Sequence, residues 1–242
     1  MRYLLAPSAA PVIAGLGRPG TLLVFDFDGT LAPLVRARGR ARLGEGTRRA
    51  LARVAKALPT AVLSGRAWPD LAAKVAGVPV RWAVGGHGAE WPGEAPPRRF
   101  VRRVAGWRRV LDGRLAALQG VDVEDKEVSL SIHWRAARDA AAAGAAVLQA
   151  TGDLPGARRV GGKRVLNVVP AEAPDKGGAL ARLVAESGCE RVLFVGDDVT
   201  DEAGFRARLP VPSVMVRVGR SRESAAAWYL RSRADVDRLL GR

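Results

Sequence analysis

A short apolar run that ends in two carboxylates constrains the fold of this chain more than any other feature. The run covers residues 21–27, TLLVFDF; Asp26 and Asp28 mark its end, and Gly29 and Thr30 then interrupt the pattern. A continuous apolar run bounded by turn residues indicates a buried strand in a parallel sheet covered on both faces, and such sheets bind ligands at the carboxyl ends of their strands. Because burying an unpaired charge is strongly unfavourable, the two carboxylates predict a divalent metal, catalytic chemistry or both. A plain strand-end cap is the alternative.

The sequence that follows alternates between helix and strand. Apolar residues at helical spacing predict an amphipathic helix over 47–58, and a short apolar strand then ends at Ser64. This strand–helix–strand unit implies parallel strands and a right-handed crossover, so we expect Ser64 at the same sheet edge as Asp26. Further apolar runs predict the other strands, at 79–84, 191–195 and 213–219. We therefore predict an α/β protein with a doubly wound, Rossmann-like parallel sheet.

Between the predicted strands at 79–84 and 191–195 the pattern changes. Proline and glycine cluster at 92–97, and residues 121–135 then alternate between apolar and polar side chains. This alternation indicates a sheet with one covered face and one face open to a ligand. We predict two domains, a core formed by 1–89 and 171–242 and an inserted α+β cap at 90–170.

The first twenty residues do not indicate a targeting segment. Pro7, Ser8 and Pro11 interrupt their apolar run and only Arg2 is basic, unlike a secretory signal peptide. No run in the chain approaches the roughly 18–20 apolar residues that cross a bilayer. We expect residues 1–20 to form an arm or a loop, and we expect a cytoplasmic protein with no membrane partner.

Composition limits the other partners. The chain has 242 residues, one cysteine and a formal net charge of +15. A single cysteine excludes an internal disulfide and a cysteine-based zinc site. A strongly basic protein could bind nucleic acid or a phosphorylated substrate. The basic residues are mostly arginines scattered among alanines along the whole chain. That distribution indicates a solvated surface, so we expect no nucleic-acid partner, and we expect a monomer.

Three motifs resemble those of a known family. They are DFDGTL at 26–31, PDKGG at 174–178 and GDDVTDE at 196–202. The first resembles the opening motif of the haloacid dehalogenase (HAD) phosphohydrolases, and the others resemble later motifs of that superfamily. From about residue 20 the chain is similar to its trehalose-6-phosphate phosphatase family. The resemblance implies a HAD-like core with a cap domain, and Mg²⁺-dependent hydrolysis of trehalose 6-phosphate to trehalose and phosphate.

The resemblance also implies roles for the two aspartates of the first motif. Asp26 matches the nucleophile, since a carboxylate can attack phosphorus and form an aspartyl-phosphate. Asp28 matches the residue that protonates the leaving sugar oxygen and then activates water, and its backbone carbonyl would also bind the metal. Asp26 and Asp197 fit as direct ligands, because oxygen ligands without nearby histidine or cysteine favour Mg²⁺.

Other residues are expected to support this chemistry without binding the metal directly. Asp201 would hold a metal-bound water, with Asp198 and Thr30 near it, although Asp is also a common helix cap. Lys176 lies at a predicted helix start, where a cation and free N–H groups favour binding of an anion. It would pair with Asp26 and with the transferred phosphoryl group. A solvent-exposed lysine is the alternative. Ser64 would donate a hydrogen bond to a phosphoryl oxygen, and a turn serine is its alternative.

Substrate contacts are predicted in two regions. Gly65 and Arg66 follow the second strand, and His87 lies in a G-x-H-G bend, where a structural role is equally consistent with the sequence. In the predicted cap, EDKEVSLSIHWR resembles a family stretch. Candidates for sugar hydroxyls there and just beyond are Glu124, Lys126, His133, Lys163 and Asn167, with a solvated strand face as the alternative.

The family pattern near residue 167 has an acid where this chain has Asn167 and a base where it has Val169. A carboxylate accepts hydrogen bonds from sugar hydroxyls more strongly than an amide does. This departure leaves the phosphate chemistry untouched and leaves the sugar open. Another disaccharide phosphate, or glucosyl- or mannosyl-phosphoglycerate, is therefore an alternative substrate. A basic nucleic-acid-binding protein with a vestigial site is the alternative from a different class, and the filled catalytic positions argue against it.

Overall fold

The computed structural model describes residues 1–35, 38–162 and 164–242. In this part of the chain the strands are β1 (Arg2–Tyr3), β2 (Thr21–Phe25), β3 (Thr60–Leu63), β4 (Trp82–Val84), β5 (Asp122–Asp125), β6 (Leu130–His133), β7 (Ala157–Gly162), β8 (Val165–Pro170), β9 (Arg191–Gly196), β10 (Ser213–Val218) and β11 (Trp228–Leu230). The α-helices are α1 (Ala10–Leu16), α2 (Glu45–Ala57), α3 (Trp68–Val75), α4 (Arg98–Leu115), α5 (Ala140–Ala150), α6 (Lys176–Ser187), α7 (Glu202–Phe205) and α8 (Arg233–Leu240).

The chain folds into two compact units. The core unit comprises Met1–Pro92 and Pro174–Arg242, and the insert unit comprises Gly93–Ala173. The sequence places the boundaries after residues 89 and 170. That the insert acts as a cap which selects the substrate stays a prediction.

The core unit contains the predicted parallel sheet, with strand order β1-β11-β10-β9-β2-β3-β4. Strand β2 lies between β9 and β3, and Phe25 is in register with Val195 on one side and Val62 on the other. The chain leaves β2 toward β3 and β4 and later returns to β9 on the opposite side. The crevice at a point where the strand order reverses is where α/β sheets bind ligands, and here it lies at the end of β2.

Helices cover both faces of this sheet, which explains why β2 is apolar from Leu22 to Phe25. Leu23 and Phe25 pack with residues of α1, α2, α3 and α8 in one buried cluster. Leu22 and Val24 point the other way and pack with residues of α6 and α7 in a second cluster. Successive strand side chains alternate between faces, so a strand with two covered faces needs apolar residues at every position.

The expected arm or loop at residues 1–20 is wrong in part. Strand β1 adds an edge to the sheet through parallel pairing with β11, and α1 places Leu16 in the first buried cluster. These elements are too short to show a periodic pattern: β1 has two residues and α1 has seven, with Pro11 in its first turn. Proline suits that position because the first amides of a helix have no intrahelical acceptor.

The insert unit is an antiparallel sheet of order β5-β6-β8-β7 with α4 and α5 against one face. Ile132 and Leu166 are paired neighbours in this sheet and pack with Trp107 and Leu111 of α4. Helix α5 begins at Ala140, because the Asp139 carboxylate caps it by accepting the N–H groups of residues 141 and 142.

No helix within the described ranges has an apolar stretch long enough to cross a lipid bilayer.

We expect Leu111→Ala to lower the free energy of unfolding by about 2–5 kcal/mol, because it leaves a cavity beneath the insert sheet. Leu111 is fully buried, whereas its neighbour Val110 is 41% exposed. Val110→Ala is thus a matched control on the same helix and should change stability by less than about 1 kcal/mol. Urea denaturation of both variants tests this; equal losses would contradict the assigned helix face.

Candidate active site

The carboxyl edge of the core sheet brings the predicted acids and lysine together. Asp26 directly follows β2, and its N–H donates to the carbonyl of Val195 on β9 at 2.8 Å. Asp197 directly follows β9, and Lys176 is the first residue of α6. Carboxylate oxygens of Asp26, Asp197 and Asp201 lie within 4.8 Å of one another. The parallel register of β2 and β9 is therefore what assembles this acidic cluster.

Lys176 is the cation at the centre of the cluster. Its Nζ donates to Oδ1 of Asp26 at 2.7 Å and to Oδ1 of Asp201 at 2.5 Å, and the residue is only 2% exposed. Burial alone would lower the pKa of Lys176, but the charges of Asp201 and Asp26 outweigh it and raise that pKa above its ordinary value. The lysine therefore stays charged, and the alternative of an exposed lysine is wrong.

Asp201 fixes the loop after β9. Its Oδ2 accepts the N–H groups of Asp197 at 2.9 Å and Asp198 at 2.8 Å, while Oδ1 binds Lys176. Asp201 is fully buried, and Asp198 is exposed and caps the 3-10 turn Val199–Asp201. Asp201 thus connects the lysine to the backbone that carries Asp197. The predicted role of Asp201 beside a metal-bound water stays a prediction.

Asp197 is held from the other side by the turn of the first motif. The hydroxyl of Thr30 donates to its Oδ1 at 3.2 Å. Gly29 has a φ of +86°, and a Cβ at this position would lie 2.1 Å from Oδ2 of Asp197. Only glycine combines this conformation with such a close approach. The Gly-Thr pair that ends the apolar run therefore lets β2 and β9 bring their acids together.

The cluster has more negative than positive charge. Burial raises the pKa of Asp26 well above its usual range; Lys176 opposes this shift, and Asp201 and Asp197 add to it. Burial, followed by the charge of Asp201, raises the pKa of Asp197 to about 7. Three carboxylates share one ammonium group, so a further cation could bind there and balance the charge. A donor set made only of carboxylate oxygens suits Mg²⁺.

Asp28 lies in a different environment. Arg66 donates to both of its carboxylate oxygens, from Nε to Oδ2 and from Nη2 to Oδ1, each at 2.6 Å. The third nitrogen, Nη1, donates to Oδ2 of Asp70 at 2.5 Å. Burial would lower the pKa of Arg66, but its hydrogen bonds and charge contacts with Asp28 and Asp70 raise it. Asp70 was not predicted, and the only sequence signal is an acid four residues after Arg66.

Ser64, Gly65 and His87 form one packed corner at the end of β3, the strand next to β2. Ser64 is buried, and its Oγ accepts the N–H of Arg66 at 3.3 Å, which leaves the hydroxyl proton for another acceptor. A Cβ on Gly65 would lie 2.2 Å from Cε1 of His87, so glycine is needed for this contact. The N–H of His87 donates to the carbonyl of Ser64 at 2.9 Å. Contacts of these three residues with substrate stay predictions.

The remaining predicted substrate residues lie in the insert unit. Glu124 and Asn167 share the polar face of its sheet, both in register with Ser131. Oε2 of Glu124 lies 3.1 Å from Nε2 of His133 and 3.8 Å from Nζ of Lys126.

Asn167 is 7% exposed, and both ends of its amide are engaged: the Ser131 hydroxyl donates to Oδ1 at 2.6 Å and Nδ2 donates to the Val160 carbonyl at 3.4 Å. Lys163 lies outside the described residues.

Comparison with known proteins agrees with this geometry. A model of the trehalose-phosphatase family matches residues 24–234. A trehalose-phosphate phosphatase of Mycobacterium marinum is 34% identical over 95% of this chain, and the chain spans 64% of that relative's length. Trehalose 6-phosphate phosphatase RA3 of Zea mays is 28% identical, with coverage of 95% of this chain and 71% of the relative.

Solved structures support the fold assignment. The C-terminal domain of C. albicans trehalose-6-phosphate phosphatase superposes with a TM-score of 0.79 at 22% identity, over 96% of this chain and 94% of that one. The Aspergillus fumigatus trehalose-6-phosphate phosphatase gives 0.62 at 27% identity, over 91% of each chain. A HAD subclass IIB sugar phosphatase gives 0.58 at 16% identity, over 91% of this chain and 97% of that one, which confirms the predicted HAD-like fold. Since the family model matches most of its length, the chain belongs to the trehalose-phosphatase family.

Proposed function

We propose that this chain is a Mg²⁺-dependent phosphatase that hydrolyses trehalose 6-phosphate to trehalose and phosphate through an aspartyl-phosphate. One observation carries the proposal: the carboxylate of Asp26 is buried against a charged Lys176, in a cluster with Asp197 that has excess negative charge. A nucleophilic carboxylate, a cation for the phosphoryl oxygens and metal ligands are what such a reaction requires. The substrate is taken from the relatives, which are named as phosphatases of trehalose phosphate.

Asp26 and Asp197, together with the backbone carbonyl of Asp28, would hold the metal. When bound, Mg²⁺ would neutralise negative charge on the phosphoryl oxygens. The fit rests on the oxygen-only donor set and on its geometry, because carboxylate oxygens of Asp26, Asp197 and Asp201 lie within 4.8 Å of one another.

In the first step, an Asp26 oxygen forms a bond to phosphorus while the bond from phosphorus to the sugar oxygen breaks. Asp28 gives its proton to that oxygen, which leaves as the sugar hydroxyl. In the second step, water attacks phosphorus, Asp28 takes a proton from the water, and the bond to Asp26 breaks to release phosphate. Lys176 balances the charge on the nucleophile and then on the phosphoryl group, and Ser64 donates its hydroxyl proton to a phosphoryl oxygen.

The insert unit is the proposed source of sugar specificity. Glu124, Lys126 and His133 form one polar group on its sheet, with donors and acceptors suited to sugar hydroxyls. One observation favours the second candidate, a phosphatase for another sugar phosphate. Asn167 stands where the family pattern has an acid, and its amide is engaged by Ser131 and Val160 within the sheet.

Phosphate release from a substrate panel with Mg²⁺ separates these candidates. We expect trehalose 6-phosphate to be the best substrate, compared at equal concentration with sucrose 6-phosphate, glucose 6-phosphate and glucosyl-phosphoglycerate. Release from one of the others without release from trehalose 6-phosphate would establish the second candidate. Release from none, with Mg²⁺ bound, would contradict the phosphatase assignment.

We expect Asp26→Asn to reduce turnover to background while the melting temperature stays the same or rises. The amide cannot act as the nucleophile, and it removes a buried carboxylate whose ionised form is disfavoured, while Lys176 keeps Asp201 as its partner. Asp112→Asn, which removes an exposed acid paired with Arg108, is the control and should leave turnover unchanged. Full activity in Asp26→Asn would eliminate Asp26 as the nucleophile.

We expect the metal-free protein to lose stability as pH rises from about 4 to about 7. The pKa of Asp197 is about 7 in the folded protein against an ordinary value of 3.8. Across this interval the folded state therefore keeps a proton that the unfolded state has released, so rising pH favours unfolding. Asp197→Asn should flatten this part of the profile, as measured by denaturant unfolding in EDTA.

Added Mg²⁺ should restore more stability at pH about 7 to the wild type than to Asp197→Asn, because the ion replaces the missing positive charge. Identical pH profiles of the two proteins in EDTA would contradict the assigned charge state of Asp197. Equal stabilisation of both proteins by Mg²⁺ would contradict its role as a ligand.

A further inference from the structure

The polar face of the insert sheet lacks a cation that the family pattern has. Leu166 and Val168 of β8 pack with α4 and α5 on one face of the sheet. Successive side chains of a strand alternate between faces, so Asn167 and Val169 lie on the other, polar face. These are the two positions where the family pattern has an acid and a base. Val169 therefore leaves the polar face without its basic residue.

Arg158 lies directly opposite this missing base. In the antiparallel pairing of β7 with β8, Arg158 is in register with Val169, as Val160 is with Asn167. Directly opposed residues of an antiparallel pair place their side chains on the same face, with Cβ atoms about 4.5–5.5 Å apart. The neighbouring strand thus places an arginine on the polar face, one strand away from the position of the missing base.

The hydrogen-bonding capacity of Arg158 is mostly unused within residues 1–35, 38–162 and 164–242. Its Nη2 donates to the carbonyl of Ala173 at 3.1 Å, and in these ranges Nε and Nη1 have no partner and no carboxylate pairs with the group. A guanidinium has five N–H donors. Other arginines of the insert unit do pair with carboxylates: Arg103 with Glu172, Arg108 with Asp112 and Arg114 with Asp153.

A strong donor complements the other polar groups of this face. Sugar hydroxyls both donate and accept hydrogen bonds, so a surface that binds them needs donors as well as acceptors. Glu124 is an acceptor on this face, whereas both ends of the Asn167 amide are engaged within the sheet. Arg158 is only partly exposed, and a hydrogen bond is stronger where less water surrounds it. Its unused N–H groups therefore suit hydroxyl oxygens of a sugar.

We propose that Arg158 is a substrate-binding residue that supplies from β7 the cation that Val169 lacks, by donating hydrogen bonds to hydroxyl oxygens of the sugar. The proposal rests on the proposed function, in which the insert unit selects the sugar. It adds no chemical step and requires no group to change its protonation. Nη2 keeps its bond to the Ala173 carbonyl, and Nε and Nη1 are the donors to the substrate.

The first test measures KM and kcat of Arg158→Ala on trehalose 6-phosphate with Mg²⁺. Hydrogen bonds from a charged group are among the stronger ones, so we expect KM to rise about tenfold. Since the sugar contact is the same in the ground state and the transition state, kcat should stay within about twofold. Isothermal titration of the same substrate into Asp26→Asn, with and without Arg158→Ala, should show the same tenfold loss of affinity without turnover.

Two control variants separate substrate binding from a structural role. Arg159→Ala removes the adjacent arginine, which also donates to a carbonyl, that of Leu148, but lies on the opposite face in register with Val168. Glu172→Gln removes the ion pair with Arg103, which holds the same segment as the bond from Arg158 to Ala173. Both variants should leave KM within about twofold of the wild type. An equal rise in KM in either control would overturn the proposal.

Moving the arginine across the strand pair provides a further measurement. Val169→Arg in the Arg158→Ala background returns a guanidinium to the polar face at the position of the family base, and it should restore KM to within about threefold of the wild type. A folded double variant that binds no better than Arg158→Ala would overturn the proposal. Melting temperatures verify folding, and the single variants decide the question if the buried site of Val169 does not accept an arginine.

The wild type distinguishes failure of this inference from failure of the proposed function. A wild type that is active on trehalose 6-phosphate, together with an unchanged KM and affinity in Arg158→Ala, would overturn the role of Arg158 alone. If the wild type releases phosphate from no sugar phosphate, the proposed function fails and this inference fails with it. Activity on a different sugar phosphate would move the same comparison to that substrate and leave the test intact.

Discussion

The site depends on one buried interaction, the ammonium group of Lys176 placed between the carboxylates of Asp26 and Asp201. A lone buried carboxylate would be protonated or displaced toward water, because a charge in a poorly solvated interior costs several kcal/mol. Lys176 makes it possible to bury the proposed nucleophile at the end of β2. The lysine is in turn fixed by its position at the start of α6, where the Asp175 side chain caps the helix.

The rest of the site extends this interaction into the backbone. Asp201 accepts a hydrogen bond from Lys176 with one oxygen and from the amides of Asp197 and Asp198 with the other. The lysine at the start of α6 therefore also fixes the loop after β9. From the opposite side, the carboxylate of Asp197 approaches Gly29 so closely that a Cβ at this position would clash with it. Two strands that are adjacent in the sheet but far apart in sequence thus share a single electrostatic centre. Substitution of any one member should therefore change the electrostatic surroundings of the others.

Much of this arrangement could be predicted from the sequence, and what could not be predicted has a physical reason. A strand covered on both faces must be apolar, so β2 and β9 are visible as runs, and the acids at their ends are conspicuous because burial there is costly. Strand β1 and helix α1 are defined by partners distant in sequence and are too short to show a period. The contacts of Asp201 and Asp70 depend on side-chain direction, and the sequence shows only that acids are present.

Asp26 and Asp28 are separated by one residue, yet the fold gives them opposite electrostatic surroundings. The first lies in the acidic cluster, where burial raises its pKa and Lys176 provides partial compensation. The second lies in the turn after β2 and binds the guanidinium of Arg66 through both oxygens. Pairs of carboxylates with divergent surroundings are how proteins assign different roles to identical groups. The turn after β2 therefore gives the proposed nucleophile and the proposed proton carrier different surroundings within three consecutive residues.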